Sequence, residues 1–397
     1  MSGTTFQAYI EQQKRQSPDD IELWNEMEKY YNTKLWHQLG ELLLTASKNT
    51  YFSTNGRLVA LYNGVAANAG ASLDPMVHAK LVSQAVLQLS DHAEANKLLD
   101  KASAFVKSDD QATMSVNCAY ARAAIEAKEL TTAEKLLEKV DLDIKQYPGV
   151  LDNFVPASYH STMCSLYRTK GDFANHFRHA MRYLNYFSTA TLSQKAKLQL
   201  ASEIAVAALL GEDLYDIAEF FQNPLLEVLR GSPKEPLFNL LTAFNAGDIT
   251  RFESELQAAL ACAPELEAGQ TTLQQRIRVM KLIALVFAQE GVSHVFTFRE
   301  LAEQCQIDES QVELLVLQAI ANKVIKAEID GVENEVRVRW VKPRTLDADM
   351  LTTMRDRVAA WRDNAAACVS AVENSTNELL VGRIAAATIT AQAAEAK

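Results

Sequence analysis

The sequence has few of the residues that interrupt helices: 14 glycines and 9 prolines among 397 residues. The alternation of apolar and polar residues that marks strands is almost absent before about residue 324. Strong helix formers fill most positions, and a hydrophobic fraction of 48% is enough to bury a large core. These features exclude a mainly β fold and predict a mainly helical protein of two or three structural units.

Long apolar runs are also missing, and none approaches the roughly 18 to 20 residues that a membrane span needs. The opening residues MSGTTFQAYIEQQKRQ lack the apolar centre of a signal peptide. Cysteines occur singly and in odd number, which favours reduced thiols over a disulfide framework. We therefore expect a protein of the cell interior. The five cysteines are Cys118, Cys164, Cys262, Cys305 and Cys368.

Recognisable catalytic motifs are absent: there is no phosphate-binding GxxxxGK[ST] loop, no GxGxxG, no HExxH and no GxSxG. Asp172, His176 and His179 have spacings of four and three that could place them on one helix face, but no further ligand completes a metal site. A cysteine nucleophile paired with a distant histidine stays open, since nothing singles out one cysteine. We predict no catalysis, no cofactor and no metal.

Helical repeats are indicated by four turn signals, each followed by an amphipathic pattern. Successive starts lie roughly 35 to 43 residues apart, which is typical of helix-pair repeats. Such pairs bury their apolar stripes against neighbours and form a solenoid that mainly binds other proteins. The four segments are KELTTAEKLLEKV, KGDFANHFRHAMRYL, GEDLYDIAEFFQN and AGDITRFESELQAAL.

A different pattern begins near residue 291. Thr297 with Glu300, and Asp308 with Gln311, have capping-box spacing, so two short helices should follow residues 297 and 308. The segment KVIKAEIDGVENEVRVRW then alternates around an Asp-Gly turn, which predicts a two-stranded hairpin. Two helices followed by a hairpin is the order of a winged helix, a fold often used to bind DNA.

The second of these helices is unusual for a DNA-reading helix. Its predicted core face is accompanied by a second apolar stripe of Leu314, Leu317 and Ala321, where base contacts would need polar groups. The chain also has 50 acidic against 39 basic residues, a net charge of -11 that repels polyanions. We therefore expect protein contacts and no nucleic acid. The predicted core face consists of Val312, Leu315, Val316, Ala319 and Ile320.

A nucleic-acid-binding regulator remains an alternative because a basic cluster surrounds the hairpin, and wings can touch phosphates. The same charges could instead be a solvated face or protect an edge strand from aggregation. The cluster comprises Lys323, Lys326, Arg337, Arg339, Lys342 and Arg344.

A long helix is predicted after Pro343, with apolar residues at alternating steps of three and four. This heptad seam needs a partner helix. The final AAATITAQAAEAK is low in complexity and is expected to be frayed or disordered. The seam consists of Leu351, Met354, Val358, Trp361, Ala365, Cys368 and Val372.

Helical repeats, a winged helix and a long C-terminal helix, in that order, resemble the PCI-domain family. Its members are scaffold subunits of the proteasome lid, the signalosome and a translation initiation complex. Several segments, in order along the chain, are similar to those of PCI subunits of the proteasome lid: KLWHQLGELLL, YPGV, ALLGE, NPLLEVLR, AFNAGDITRF, QVELLVLQAI and RWVKPRTLD.

The resemblance implies a non-catalytic scaffold in the cytoplasm and nucleus that supports ubiquitin-dependent degradation as part of a hetero-oligomer. Implied partners are other PCI subunits, the deubiquitinase module and a neighbouring ubiquitin receptor. A PCI scaffold of another complex is the nearest alternative. The resemblance also implies a division into a repeat arm (1–200), a PCI domain (201–345, its winged helix at 291–345), a bundling helix (346–380) and an Ala-rich tail (381–397).

We expect partners to contact three elements. The hairpin strand with Val336, Val338 and Trp340 can extend a sheet into a neighbour, because an edge strand offers unpaired backbone donors and acceptors. The exposed stripe of the second short helix could pack on adjacent helices, and the seam could enter a bundle. The predicted interface residues are Leu314, Leu317, Val336, Val338, Trp340, Leu351, Met354, Val358 and Trp361.

Overall fold

The structure is a computed structural model that describes residues 6–16, 21–53, 56–89, 91–288, 294–342 and 348–395. The chain divides into two compact units, residues 1–342 and 343–397. The first unit contains the helical arm and the winged helix, and the second contains one long helix. The predicted mainly helical fold with a small sheet is confirmed.

The arm and the helices that follow it alternate with short turns. In chain order they are α1 (Phe6–Gln16), α2 (Ile21–Asn32), α3 (Trp36–Ser47), α4 (Arg57–Leu61), α5 (Ala67–Ala69), α6 (Pro75–Val86), α7 (His92–Val106), α8 (Asp110–Glu126), α9 (Leu130–Gln146), α10 (Phe154–Lys170), α11 (Phe173–Tyr186), α12 (Gln194–Leu210), α13 (Ala218–Phe221), α14 (Glu235–Ala246), α15 (Ile249–Cys262) and α16 (Gln270–Ala288).

The winged helix follows α16. Its elements are β1 (His294–Thr297), α17 (Phe298–Cys305), α18 (Glu309–Ala321), β2 (Ile325–Asp330) and β3 (Glu335–Val341). The second unit contains α19 (Ala348–Glu395).

Two of the predicted repeat turns end one helix and begin the next by the same means. Gly171 and Gly247 follow α10 and α14 with φ angles of 76° and 69°, which glycine adopts without strain. The aspartate after each glycine then caps the next helix: Asp172 accepts from the Asn175 amide, and Asp248 accepts from the Arg251 amide. Helices α11 and α15 therefore start where the sequence predicted.

The third predicted repeat helix, in GEDLYDIAEFFQN, is mostly absent. Only α13 is helical there, and the preceding residues form an irregular segment. Leu214, Tyr215 and Ile217 are buried within that segment. These side chains pack into the hydrophobic core of the later helices without forming a helix themselves. Their apolar spacing therefore predicted the wrong local structure.

Three hydrophobic clusters of buried residues fill the first unit. The first extends from Phe6 to Ala123, the second from Met114 to Leu166, and the third from Phe177 to Val338. The third core joins the later helices to the winged helix, because it includes residues of α11, α16, α18 and β3. The predicted boundary between residues 200 and 201 stays a prediction, and it falls inside α12.

A buried arginine connects three parts of the third core. Arg276 of α16 donates to the carbonyl of Leu209 at the end of α12, and to that of Leu214 at 2.5 Å. It thereby satisfies one carbonyl at the C-terminus of α12 and one in the irregular segment that follows. Desolvation lowers its pKa to about 10, and Tyr215 beneath it receives a hydrogen bond of 2.7 Å from Asn322 beside the sheet.

Helix α19 is longer than predicted. The Ala-rich segment expected to be frayed continues the helix as far as Glu395. Alanine has the highest helix propensity of the natural residues, and this local preference favours continuation of the helix.

Candidate partner interface

The starts of helices α17 and α18 were both predicted from capping-box spacing. Thr297 and Glu300 form the predicted capping box: the Thr297 hydroxyl accepts from the Glu300 amide, and the Glu300 carboxylate accepts from the Thr297 amide. Helix α18 also starts after Asp308 as predicted, but the side chain of Asp308 makes no capping hydrogen bond. The second capping box was therefore wrong, although the helix start was right.

Helix α18 has the two faces that the sequence predicted. Val312, Leu315, Val316 and Ala319 are buried in the third core, with Ile320 packed beside them. On the other side Leu314 and Leu317 are 58% and 50% exposed, and Ala321 is exposed as well. The apolar stripe is real and has no partner within the described part of the chain.

The sheet has three strands instead of the predicted two. Strand β1 pairs antiparallel with β3, so the order is β1-β3-β2 and β3 lies in the middle. The hypothesis that β3 is an edge strand available to a neighbour is therefore wrong. Val336 and Val338 are buried in the third core, so their side chains stabilise this chain and do not belong to its surface.

Trp340 does not share the face of the two valines. The register between β2 and β3 shifts at Lys326 and Ala327, so that Arg339 is an extra residue in β3. After this bulge Trp340 lies opposite Lys326, whose ammonium is 5.2 Å from the indole ring, and it is 41% exposed. The bulge thus brings an aromatic side chain to the outer face of the sheet.

The two arginines of the wing lie beside carboxylates. Arg339 contacts Glu328 at 2.7 Å, and Arg337 lies 3.5 Å from Glu335 and 3.9 Å from Asp330. These two guanidinium groups therefore already have acidic partners, which lowers their attraction for a phosphate, whereas Lys323, Lys326 and Lys342 are exposed. Arg344, the last residue of the predicted basic cluster, lies outside the described residues.

The seam of α19 is exposed along its described side chains. Leu351, Met354 and Val358 are each slightly more than half exposed, and Trp361 is 73% exposed. Val372 belongs to the same seam, and Val369, which the sequence analysis did not select, adds apolar area beside it. These side chains keep the spacing of three and four that a partner helix could contact.

The candidate metal ligands are not brought together. Asp172 caps α11, His176 is buried, and the Nδ1 of His179 lies 3.0 Å from the Nδ1 of His160 on α10. Burial lowers the pKa of both paired histidines to about 4, so both are neutral at pH 7. Within the residues that the structure describes, no cluster of three potential ligands occurs. No pattern in the sequence indicated the contact between His160 and His179.

Three cysteines are poor candidates for nucleophiles. Burial raises the pKa of Cys118 and Cys164 to about 12 and that of Cys305 to about 11. The reactive thiolate is correspondingly disfavoured at neutral pH.

In the described segments, no helix is long and apolar enough to cross a bilayer.

Taken together, the helical arm, the winged helix and the long final helix define a PCI-type helical-repeat protein. Residues 23–241 match the PSD13 N-terminal repeats, and residues 254–340 match the PCI domain. The first match covers more than half of the chain, which therefore belongs to the PSD13 family. The resemblance to PCI-domain proteins is confirmed.

Named relatives are similar over nearly their whole length. The chain is 27% identical over 378 residues to the 26S proteasome non-ATPase regulatory subunit 13 of Dictyostelium discoideum, covering 94% of this chain and 98% of that protein. It is 26% identical to homolog B of the same subunit in Arabidopsis thaliana, with coverage of 94% and 98%. It is 27% identical to the 26S proteasome regulatory subunit RPN9 of Saccharomyces cerevisiae, with coverage of 86% and 89%.

Proposed function

We propose that this chain is a non-catalytic scaffold subunit in the lid of a 26S proteasome regulatory particle, where it supports ubiquitin-dependent protein degradation. The observation that carries the proposal is similarity over 94% of the chain to a protein named as a non-ATPase regulatory subunit of that particle. The raised thiol pKa values of Cys118, Cys164 and Cys305 agree with a role that needs no catalysis. The places of action would be the cytoplasm and the nucleus.

The physical basis of assembly is apolar surface that the described chain leaves uncovered. Burying a large apolar side chain contributes about 1.5 to 3 kcal/mol. Leu351, Met354, Val358 and Trp361 are each more than half exposed, so a helical bundle that covers the seam would gain several kcal/mol. Leu314 and Leu317 on α18, with Trp340 on the outer sheet face, offer a second contact area.

The proposed partners are other PCI subunits of the lid, subunits of its deubiquitinase module and, at the arm, a neighbouring ubiquitin receptor. Because β3 is the middle strand, any extension of the sheet would use β1 or β2. Strand β2 carries the exposed charges Lys326 and Glu328 and pairs with β3 at a bulge. Both features disfavour the addition of another strand at the β2 edge. Packing of the α18 stripe and the α19 seam is therefore the preferred mode.

The seam is tested by placing charge on it in the full chain expressed in cells. Val358→Asp combined with Trp361→Asp should abolish co-migration with the proteasome particle on a native gel, because two carboxylates would be buried in the bundle. Deletion of residues 346–397 should have the same effect. The matched control is Thr353→Asp with Ser370→Asp, which adds the same two charges to α19 away from the seam.

The controls should assemble like the unaltered chain. Assembly of the seam variants at the unaltered level would refute the bundle. Co-purification of this chain with a different large complex, and not with proteasome subunits, would favour the alternative of a PCI scaffold elsewhere. Salt-sensitive DNA binding that depends on Arg337 and Arg339 would favour the nucleic-acid alternative.

A further inference from the structure

The helical arm contains a groove that the assembly role does not use. It has a volume of about 500 Å³ and is lined by residues of α3, α6, α8, α10 and α11 and of the turns that adjoin them. That volume is in the range of cavities that hold small ligands. The groove therefore has room for a few residues of a bound peptide.

The charge of the groove is opposite to that of the chain. Lys48, Lys80 and Arg122 line it, and none of its described lining residues is an aspartate or glutamate. The whole chain has a net charge of -11, so a groove whose charged lining residues are all cations is distinctive. Asp152 near the groove pairs with Lys80 at 2.8 Å, which leaves two cations without such a partner in the described chain. An acidic ligand would complement this surface.

Arg122 is the strongest candidate anchor. It is half-buried, and within the described chain its hydrogen bond is a long one of 3.4 Å to the Ser161 hydroxyl. A guanidinium has five N–H donors, so most of its capacity remains available. Burial lowers the pKa of Arg122, and the charge of Glu126, one turn further along α8, opposes this shift without forming an ion pair with Arg122. A ligand carboxylate could accept two parallel hydrogen bonds from this group.

The other lining groups suit a peptide backbone and an apolar side chain. The partly exposed hydroxyl of Ser83 donates to the Ala79 carbonyl of its own helix. Its oxygen therefore remains able to accept a hydrogen bond from a peptide N–H group. Leu87 and Tyr186 line the same groove and are 49% and 44% exposed, which leaves apolar area for a ligand side chain to cover.

We propose that this groove binds a short acidic peptide segment of a partner protein, with one carboxylate at Arg122 and a neighbouring apolar side chain against Leu87 and Tyr186. The occupant is chosen by charge complementarity, since the lining combines cations with apolar surface and a hydroxyl acceptor. The proposal is independent of the assembly role, because the groove lies in the arm and the seam lies in α19.

The test is direct binding to the purified full chain. A fluorescein-labelled peptide of alternating leucine and aspartate is titrated by fluorescence anisotropy, beside the same peptide with asparagine in place of aspartate. The aspartate peptide should bind saturably and the asparagine peptide about tenfold more weakly or not at all, because the carboxylate provides the charge-assisted pair. Equal binding of the two peptides, or binding of neither, would overturn the proposal.

Variants locate the binding. Arg122→Gln should weaken binding of the aspartate peptide by about tenfold or more. Lys135→Gln removes the same charge from an exposed position of α9 outside the groove and should bind like the unaltered chain. Leu87→Glu places a carboxylate at a half-exposed position in the groove, costs little core packing, and should also abolish binding.

If Arg122→Gln melts at a lower temperature than the unaltered chain, its loss of binding could reflect unfolding. The Leu87→Glu variant then decides whether the peptide binds in the groove. Unchanged peptide binding by a folded Leu87→Glu chain would show that the peptide binds elsewhere. Displacement of the peptide by millimolar sulfate at constant ionic strength, with equal loss in the Lys135 control, would indicate a general anion effect and would also sink the proposal.

Discussion

Two glycines that end helices in similar turns should differ strongly in their tolerance of alanine. Gly171 and Gly247 have nearly the same left-handed φ angles, 76° and 69°. An added Cβ at Gly171 would meet nothing within 4 Å. At Gly247 it would lie 2.9 Å from the carbonyl oxygen of Met280 and 3.0 Å from the Cα of Lys281. These are backbone atoms of α16 and cannot rotate away.

The magnitudes follow from this difference. The left-handed conformation costs alanine about 1 to 2 kcal/mol, and this cost applies at both positions. The contact with α16 adds about 1 to 3 kcal/mol at Gly247 alone, as overpacking in a dense interior does. We expect Gly171→Ala to lower the free energy of unfolding by about 1 to 2 kcal/mol and Gly247→Ala by about 2 to 5 kcal/mol.

The assay is urea unfolding of the full chain followed by far-ultraviolet circular dichroism, with the change in stability taken from the midpoint at a constant slope. Asparagine separates the two causes, because it enters the left-handed region more readily than alanine. Gly171→Asn should therefore be nearly neutral, whereas Gly247→Asn should remain destabilising through its Cβ. Equal losses for the two alanine variants would refute the close-approach argument.

Two further predictions concern buried polar groups. Arg276→Met should lower the free energy of unfolding by about 3 kcal/mol, because the buried carbonyls of Leu209 and Leu214 each lose a charged donor, and urea unfolding would measure it. Stability should also fall as the pH falls from 6.5 towards 4, since His160 and His179 have folded pKa values of about 4 and stay neutral while the unfolded chain takes up protons. The double variant His160→Gln with His179→Gln should flatten this part of the pH profile, and an unchanged profile would contradict the assignment.

Features set by neighbouring residues could be predicted from the sequence, and features set by distant contacts could not. The start of α11 at Phe173 and the two faces of α18 depend on caps and on helical spacing, which are local. The irregular segment around Tyr215 depends on Arg276, more than sixty residues further along the chain. Strand β1 has only four residues and exists because it pairs with β3, so no pattern in its own sequence marks it.

The candidate interface shows the same division. The exposure of Leu314 and Leu317 followed from helical spacing, because they lie on the opposite side of α18 from its buried face. The exposed seam of α19 followed from its heptad spacing. The position of Trp340 did not follow, since simple alternation placed it with Val336 and Val338. A bulge adds one residue to one strand and exchanges the faces beyond it, and its location depends on pairing between strands.

The charges of the winged helix favour the proposed protein contacts over nucleic acid. Arg339 and Arg337 lie beside carboxylates of β2 and β3, so a phosphate would have to compete with Glu328, which contacts Arg339 at 2.7 Å. The exposed leucines of α18 have no such competitor. They are 58% and 50% exposed, and covering them would contribute about 1 kcal/mol each, or roughly half the value of burying a fully exposed leucine. Contact with an apolar partner surface therefore gains free energy at α18, whereas contact with a phosphate backbone would first have to displace carboxylates from the wing.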